Sequence, residues 1–217
     1  MVDRMIWGSR LAVIICLVSY GCWLSYIPWK VDLLGIEYDV FGFALLMFGI
    51  FSRAAVLFVG HVLLPRFGPR VTGLAVVVFA FALIIWVFAP DTTLFIVLAA
   101  PLSLAFGVIQ PSTLAVITQA ENRSGRRLQP LHWASFSAGS LLGLVIGMIS
   151  QALAVPPAFV FGGLFVLTIL VGLFIFFVPF RTVTFDPVVS PGFRLPSGLV
   201  RILGGRSEAR QAGKECR

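Results

Sequence analysis

Residues 60–71 read GHVLLPRFGPRV and separate two long apolar runs of the chain. The two prolines of this stretch remove backbone donors and end helices, and Gly68 supplies a turn conformation that most residues disfavour. Arg66 and Arg70 add two positive charges near helix ends, where they can cap carbonyl groups. The stretch therefore predicts a tight basic hairpin between two antiparallel apolar helices.

The composition of the whole chain excludes an ordinary soluble domain. Of the 217 residues, 59% are apolar and 12% are charged, and the mean hydropathy is +1.02. Values this high are typical of a polytopic membrane protein. The net charge of +7 does not indicate a nucleic-acid partner, because the basic residues lie mainly in short gaps between apolar runs and in the tail, where they act as topology signals.

Hydropathy places six membrane spans and predicts an all-α integral membrane protein. Each span is close to the roughly 20 residues that a helix needs to cross the hydrocarbon. The short gaps make each helix antiparallel to the next, within a membrane domain over residues 1–180 that is followed by a basic, Pro/Gly-rich tail over residues 181–217. The expected spans are residues 11–29, 41–64, 71–89, 93–119, 134–154 and 158–180.

The distribution of positive charge predicts the orientation in the membrane. Fourteen of the sixteen basic residues fall on the side of the N-terminus, Lys30 alone falls on the other side, and Arg53 lies within the second span. Because short cytoplasmic segments carry the excess of Lys and Arg, we expect both termini to be cytoplasmic in a multi-pass protein of the plasma (inner) membrane. The same bias excludes an antiparallel, dual-topology dimer.

The hairpin at residues 60–71 resembles the loop signature of the major facilitator superfamily, through Arg66, Gly68 and Arg70. Residues 23–46 and 121–143 resemble the sugar-permease-like branch of that superfamily, which includes relatives of the fucose-proton symporters. The matching positions of the second stretch are Glu121, Arg126, Arg127, His132, Phe136, Ser137, Gly139 and Gly143. In order along the chain, the resemblance covers residues 10–180.

The resemblance implies a half-transporter. Transporters of this superfamily contain two six-span halves, each an inverted three-plus-three repeat, and this chain resembles the first half. It implies secondary transport of a small solute, sugar-like or an organic anion, by alternating access, with a parallel homodimer or a second six-span half as partner. The alternative is a truncated or non-transporting six-span membrane protein.

Five side chains in the spans are candidates for contact with a substrate. Arg53 is the charge within a span, and it meets either an anionic substrate or a structural partner. Pro101, Gly107 and Pro111 weaken the fourth span, which predicts either a cavity-lining helix or a packing kink. The other candidates are Gln110 and Ser112 in that span, and Tyr20 and Trp23 in the first span, where anchoring at the membrane interface is the competing interpretation.

Two further groups of residues have predicted roles. The spacing of Gly139, Gly143 and Gly147 places them on one helix face for close helix packing. A gating or structural role at the cytoplasmic ends is expected for His61, Arg66, Gly68, Arg70, Glu121 and His132.

An enzymatic function is not predicted. Neither histidine lies deep enough to activate an intramembrane serine, and no Gly-x-Ser-x-Gly elbow occurs. The sequence shows no Cys/His set with metal-ligand spacing and no glycine-rich phosphate loop, so we expect no metal and no cofactor. The predicted partners are the lipid bilayer, a small-molecule substrate and a second half.

Overall fold

The computed structural model describes residues 2–59, 63–68 and 70–177, which form helices and the turns between them. Six of the helices are long and apolar enough to cross a membrane, which confirms the predicted number of spans. His61 and the tail over residues 181–217 lie outside the described residues. In chain order the helices are α1 (Val2–Leu34), α2 (Tyr38–Phe58), the short α3 (Leu64–Phe67), α4 (Arg70–Val87), α5 (Thr92–Ser124), α6 (Gln129–Ala152) and α7 (Pro157–Phe177).

Several helix ends differ from the hydropathy boundaries, and local capping explains both ends of α5. Asp91 precedes α5, and its side chain accepts a hydrogen bond from the Leu94 amide at 2.8 Å, which satisfies one of the free donors of the first turn. Gly125 ends α5 in the left-handed conformation, with φ 67° and ψ 5°, which glycine adopts at little cost. Helix α5 therefore continues beyond its apolar core into a polar last turn.

The six spanning helices pack in a regular set of pairs. Helix α1 packs most extensively against α6, and the next closest pairs are α4 with α7, α2 with α5, and α4 with α5; α1 also packs against α5 and α7. Helices α2 and α6 are the least buried of the six. Each of them therefore has one main neighbour and a large outward surface.

Three of these helix contacts pass through glycines that bring two backbones close together. On α6, Gly139, Gly143 and Gly147 face α1, and a Cβ atom at Gly143 would lie 2.8 Å from the Cys22 nitrogen. On α5, a Cβ at Gly107 would lie 2.8 Å from the Cβ of Ala55 in α2. Helices α4 and α7 meet at two further glycines, Gly73 and Gly172. Side chains at such positions would force the helices apart.

Aromatic residues of α1, α4, α5 and α7 fill the centre of the bundle. Trp23 is fully buried, and its ring centroid lies 5.1 Å from that of Trp86 and 6.2 Å from those of Phe95 and Phe161. The Trp86 indole donates a hydrogen bond to the Phe95 carbonyl at 2.7 Å. These contacts give the bundle a packed interior on the side of α4 and α7.

The bundle has a basic end and an acidic end. Helices α1 and α6 run parallel, because Gly139 lies against Ile14 and Gly143 against Val18. The basic end contains the start of α1, the start of α4 and the loop between α5 and α6, with Arg70, Arg123, Arg126 and Arg127. The acidic end contains Asp32, Glu37, Asp39 and Asp91. At the acidic end the buried Lys30 ammonium donates a hydrogen bond to the Ala89 carbonyl at 2.7 Å.

Candidate functional site

A patch of partly exposed aromatic rings lies across α1, α2, α5 and α6. Tyr20 stacks on Phe48 with ring centroids 5.6 Å apart and lies 5.4 Å from Phe106, which in turn lies 6.4 Å from Phe136. All four side chains keep partial exposure. We call Tyr20, Phe48, Phe106, Phe136 and the adjacent Gln110 the aromatic face. Flat apolar rings with one amide and one phenol are suited to a small solute that has both apolar and hydroxyl surfaces.

Gln110 follows Phe106 by one turn of α5 and belongs to the same side of that helix. It lines a small, partly open hollow between α1, α5 and α6, together with Phe106 and Phe136. One residue further on, Pro111 leaves the carbonyl group of Gly107 without its helical donor. The amide of Gln110 is thus a polar group on an otherwise apolar wall.

The structure separates two of the candidate residues from this face. Trp23 lies in the packed interior described above and has no exposed surface. Ser112 is also fully buried: its hydroxyl accepts a hydrogen bond from Thr72 of α4 at 2.9 Å and donates one to the Ile109 carbonyl at 3.0 Å. In this conformation Trp23 and Ser112 hold α1 and α5 against their neighbours, while Tyr20 and Gln110 remain accessible.

Arg53 is exposed on the outward surface of α2. It lies five residues before Phe58, the last residue of α2. Within the described residues it has neither a hydrogen bond nor an ion pair. A charged side chain in a membrane span is stabilised either by a partner outside the bundle or by reaching the solvated membrane boundary.

Among the residues expected at the cytoplasmic ends, His61 lies outside the described residues and Arg66 belongs to the backbone of α3. The others, Gly68, Arg70, Glu121 and His132, lie at the basic end of the bundle. Gly68 ends α3 with φ 60° and ψ −152°, a backbone conformation that is almost confined to glycine. Arg70 is exposed at the start of α4. His132, in the first turn of α6, is 1% exposed, and its Nδ1 has no hydrogen-bond partner. One carboxylate oxygen of Glu121, near the end of α5, is likewise buried without a partner.

Sequence reasoning missed two kinds of residue here. Phe48 and Phe106 are ordinary members of apolar runs, and no local signal distinguishes a phenylalanine on the aromatic face from one that faces lipid. In the sequence Arg10 is only one of the basic topology signals, yet it is 8% exposed and two of its nitrogens lack partners within the described residues. Its place after the apolar Ile6, inside the first span, was the signal that it is not a simple loop charge.

Comparison with known proteins adds no relative: the chain matches no protein-family model, no curated protein and no solved structure.

Proposed function

We propose that this chain is one half of a secondary transporter of the major facilitator type. It moves a small solute, sugar-like or an organic anion, by alternating access across the plasma (inner) membrane. Both termini are cytoplasmic, because the basic end of the bundle is the cytoplasmic one by the charge rule. The aromatic face, joined to a second six-span half, forms the solute pathway.

The observation that carries the proposal is the symmetry of the helix pairing. An inverted repeat would relate α1 to α5, α2 to α6 and α4 to α7. Under this exchange the contact of α1 with α6 becomes that of α5 with α2, and the contact of α4 with α5 becomes that of α7 with α1. The contacts of α4 with α7 and of α1 with α5 each become themselves. These are the six most extensive helix contacts of the bundle, so the set is unchanged by the exchange.

Two close backbone contacts follow the same exchange. A Cβ atom at Gly21 of α1 would collide with the carbonyl oxygen of Ser140 in α6, and one at Gly107 of α5 would collide with that of Ser52 in α2. The two glycines are 86 residues apart and the two serines are 88 residues apart in the chain. A nearly constant offset is what duplication of a three-helix unit produces, and this supports the three-plus-three repeat.

The outward surfaces of α2 and α6 support the need for a second half. These two helices flank the aromatic face and are the least buried of the six. Helix α2 also carries Arg53, which has no partner within the described residues. A parallel homodimer agrees with the charge distribution, because both copies then have the same orientation in the membrane. The two halves of such transporters are likewise related by an axis along the membrane normal. A second six-span chain would satisfy the same geometry.

A labelling experiment tests the solute pathway without knowledge of the substrate. In a Cys216→Ser background, Gln110→Cys is treated in intact vesicles with a membrane-impermeant sulfonate thiol reagent, applied to either side. Leu104→Cys is the matched control, since Leu104 is exposed on α5 but about 120° around the helix from Gln110. We expect labelling at residue 110 and none at residue 104, because only a thiol in water ionises and reacts.

The native mass of the protein in a lipid disc tests the second half. A dimer, or a complex with another six-span chain, together with labelling at residue 110, supports the transporter. A monomer whose residue 110 is unreactive from both sides would instead favour a six-span membrane protein that does not transport.

A further inference from the structure

The basic end of the bundle contains two buried polar side chains with unused hydrogen-bonding groups. Arg10 of α1 is 8% exposed, and its Nε and Nη2 atoms are buried without a partner. His132 of α6 is 1% exposed, and in the described part of the chain its Nδ1 is also without a partner. Unmet hydrogen-bonding capacity on a buried cation is expensive, which makes such a pair unusual for a purely structural contact.

The helix register brings these two side chains to the same level. Because α1 and α6 run parallel with Gly139 against Ile14, His132 lies two turns below that contact, beside residues 7–10 of α1. The guanidinium charge of Arg10 accordingly acts on the His132 ring. The two side chains thus form one cluster at the junction of α1 and α6.

The unused atoms of Arg10 have a specific geometry. Nε and Nη2 form one edge of the guanidinium, the edge that binds two oxygens of a carboxylate or phosphate in parallel. The acids at this end of the bundle are Asp3 and Glu121. Within the part of the chain that the structure describes, Glu121 forms no ion pair with Arg10, and neither atom of this guanidinium edge has a hydrogen-bond partner. The edge is therefore available to an anion from outside the described residues.

The surroundings of the cluster favour an anion of high charge. Helix α6 begins without a side-chain cap, so the amides of Gln129 and Leu131 have no helical acceptor, and the positive end of the helix dipole lies at the same place. Arg126 and Arg127 are exposed in the loop just before α6. Together these groups offer charge-assisted hydrogen bonds to a group with three or four oxygens.

We propose that Arg10 and His132, with the start of α6, form a binding site for a phosphate group. The site lies at the basic end of a membrane-spanning bundle, where a phospholipid headgroup or a soluble phosphate can reach it. The guanidinium edge binds two phosphate oxygens, and His132 donates from Nδ1 to a third. This inference does not depend on the proposed transport function.

Ligand-dependent thermal stability of the delipidated protein in detergent tests the site, because a ligand that binds the folded state raises the melting temperature. The probes are dihexanoyl phosphatidylglycerol, inorganic phosphate and dihexanoylglycerol, which has no phosphate. We expect the phosphate-bearing lipid to stabilise the protein and dihexanoylglycerol to have no effect. If inorganic phosphate gives the same effect, the physiological ligand is a soluble phosphate; if only the lipid acts, it is a headgroup.

The variants identify the residues. Arg10→Gln should raise the apparent Kd of the phosphate-bearing probe about tenfold or more, because charge-assisted hydrogen bonds to the probe are lost. Arg10→Lys keeps the charge without the paired edge and should give an intermediate loss. Arg70→Gln, which removes an exposed arginine from a different loop at the same end, should retain the wild-type Kd.

Two results would overturn the proposal. One is equal stabilisation of the wild type and Arg10→Gln by every phosphate probe. The other is a lack of any response of the wild type to the phosphate probes. If Arg10→Gln then cancels the destabilisation caused by Glu121→Gln in the double variant, Arg10 and Glu121 pair with each other instead. If Arg10→Gln does not fold, His132→Asn decides, since it too must weaken the Kd.

Discussion

The contact between α1 and α6 gives the sharpest prediction, because the space at Gly143 is known from the structure. A Cβ atom there would collide with the Val18 carbonyl oxygen and lie 2.8 Å from the Cys22 nitrogen, whereas ordinary contact begins at 3.4 Å. Gly143→Ala must therefore move α6 away from α1 by at least 0.6 Å, the difference between those two distances. Overpacking of this kind costs about 1–3 kcal/mol.

The control is Gly163→Ala on α7, where an added Cβ meets nothing within 4 Å. Both substitutions gain the better helix propensity of alanine, about 1 kcal/mol in a helix interior, so their difference isolates the steric term. We expect Gly143→Ala to have a lower free energy of unfolding than Gly163→Ala by about 1–3 kcal/mol. Denaturing-detergent titration in mixed micelles, followed by the fluorescence of the five tryptophans, measures this difference. Equal stability of the two variants would refute the close approach of α1 and α6.

Two further predictions concern polar side chains in the spans. Thr72→Val removes the hydrogen bond to Ser112 with little change of shape, and we expect it to lower the free energy of unfolding by about 0.5–1.5 kcal/mol; a double-mutant cycle with Ser112→Ala that gives no coupling would contradict this. Arg53→Ala is expected to abolish uptake of an anionic solute in proteoliposomes without lowering the amount of protein inserted, because removal of a charge from a span favours insertion by about 2.5–3.5 kcal/mol. Unchanged uptake would exclude Arg53 from the solute pathway.

The number of spanning helices was predictable from the sequence because the membrane imposes it. A helix that crosses hydrocarbon must be apolar over most of its length, and hydropathy detects that directly. The ends were less predictable: α1 continues to Leu34 and α5 to Ser124, beyond the expected ends at 29 and 119. Helices continue through polar residues until a cap ends them, as Gly125 does for α5.

The candidate site was predicted only in part, because helical spacing does not identify the neighbour of each face. Tyr20 and Trp23 are three residues apart, yet Tyr20 stacks on Phe48 while Trp23 is buried against Trp86. Gln110 and Ser112 are two residues apart and similarly face different neighbours. The tertiary arrangement of the helices makes these distinctions, and it depends on contacts between residues far apart in the chain.

The packing of the bundle also constrains how a transporter built from it can move. Backbones approach closely at Gly143, Gly107 and Gly73. One buried hydrogen bond, between the hydroxyl groups of Ser19 and Thr168, joins α1 to α7. Sliding one of these helices against another would break tight contacts and leave polar groups unpaired in an apolar environment. Under the proposed function, alternating access must therefore come from rocking of the whole bundle against a second one, as in two-half transporters. A lone bundle has no such counterpart, so the native assembly in lipid decides whether this chain can transport at all.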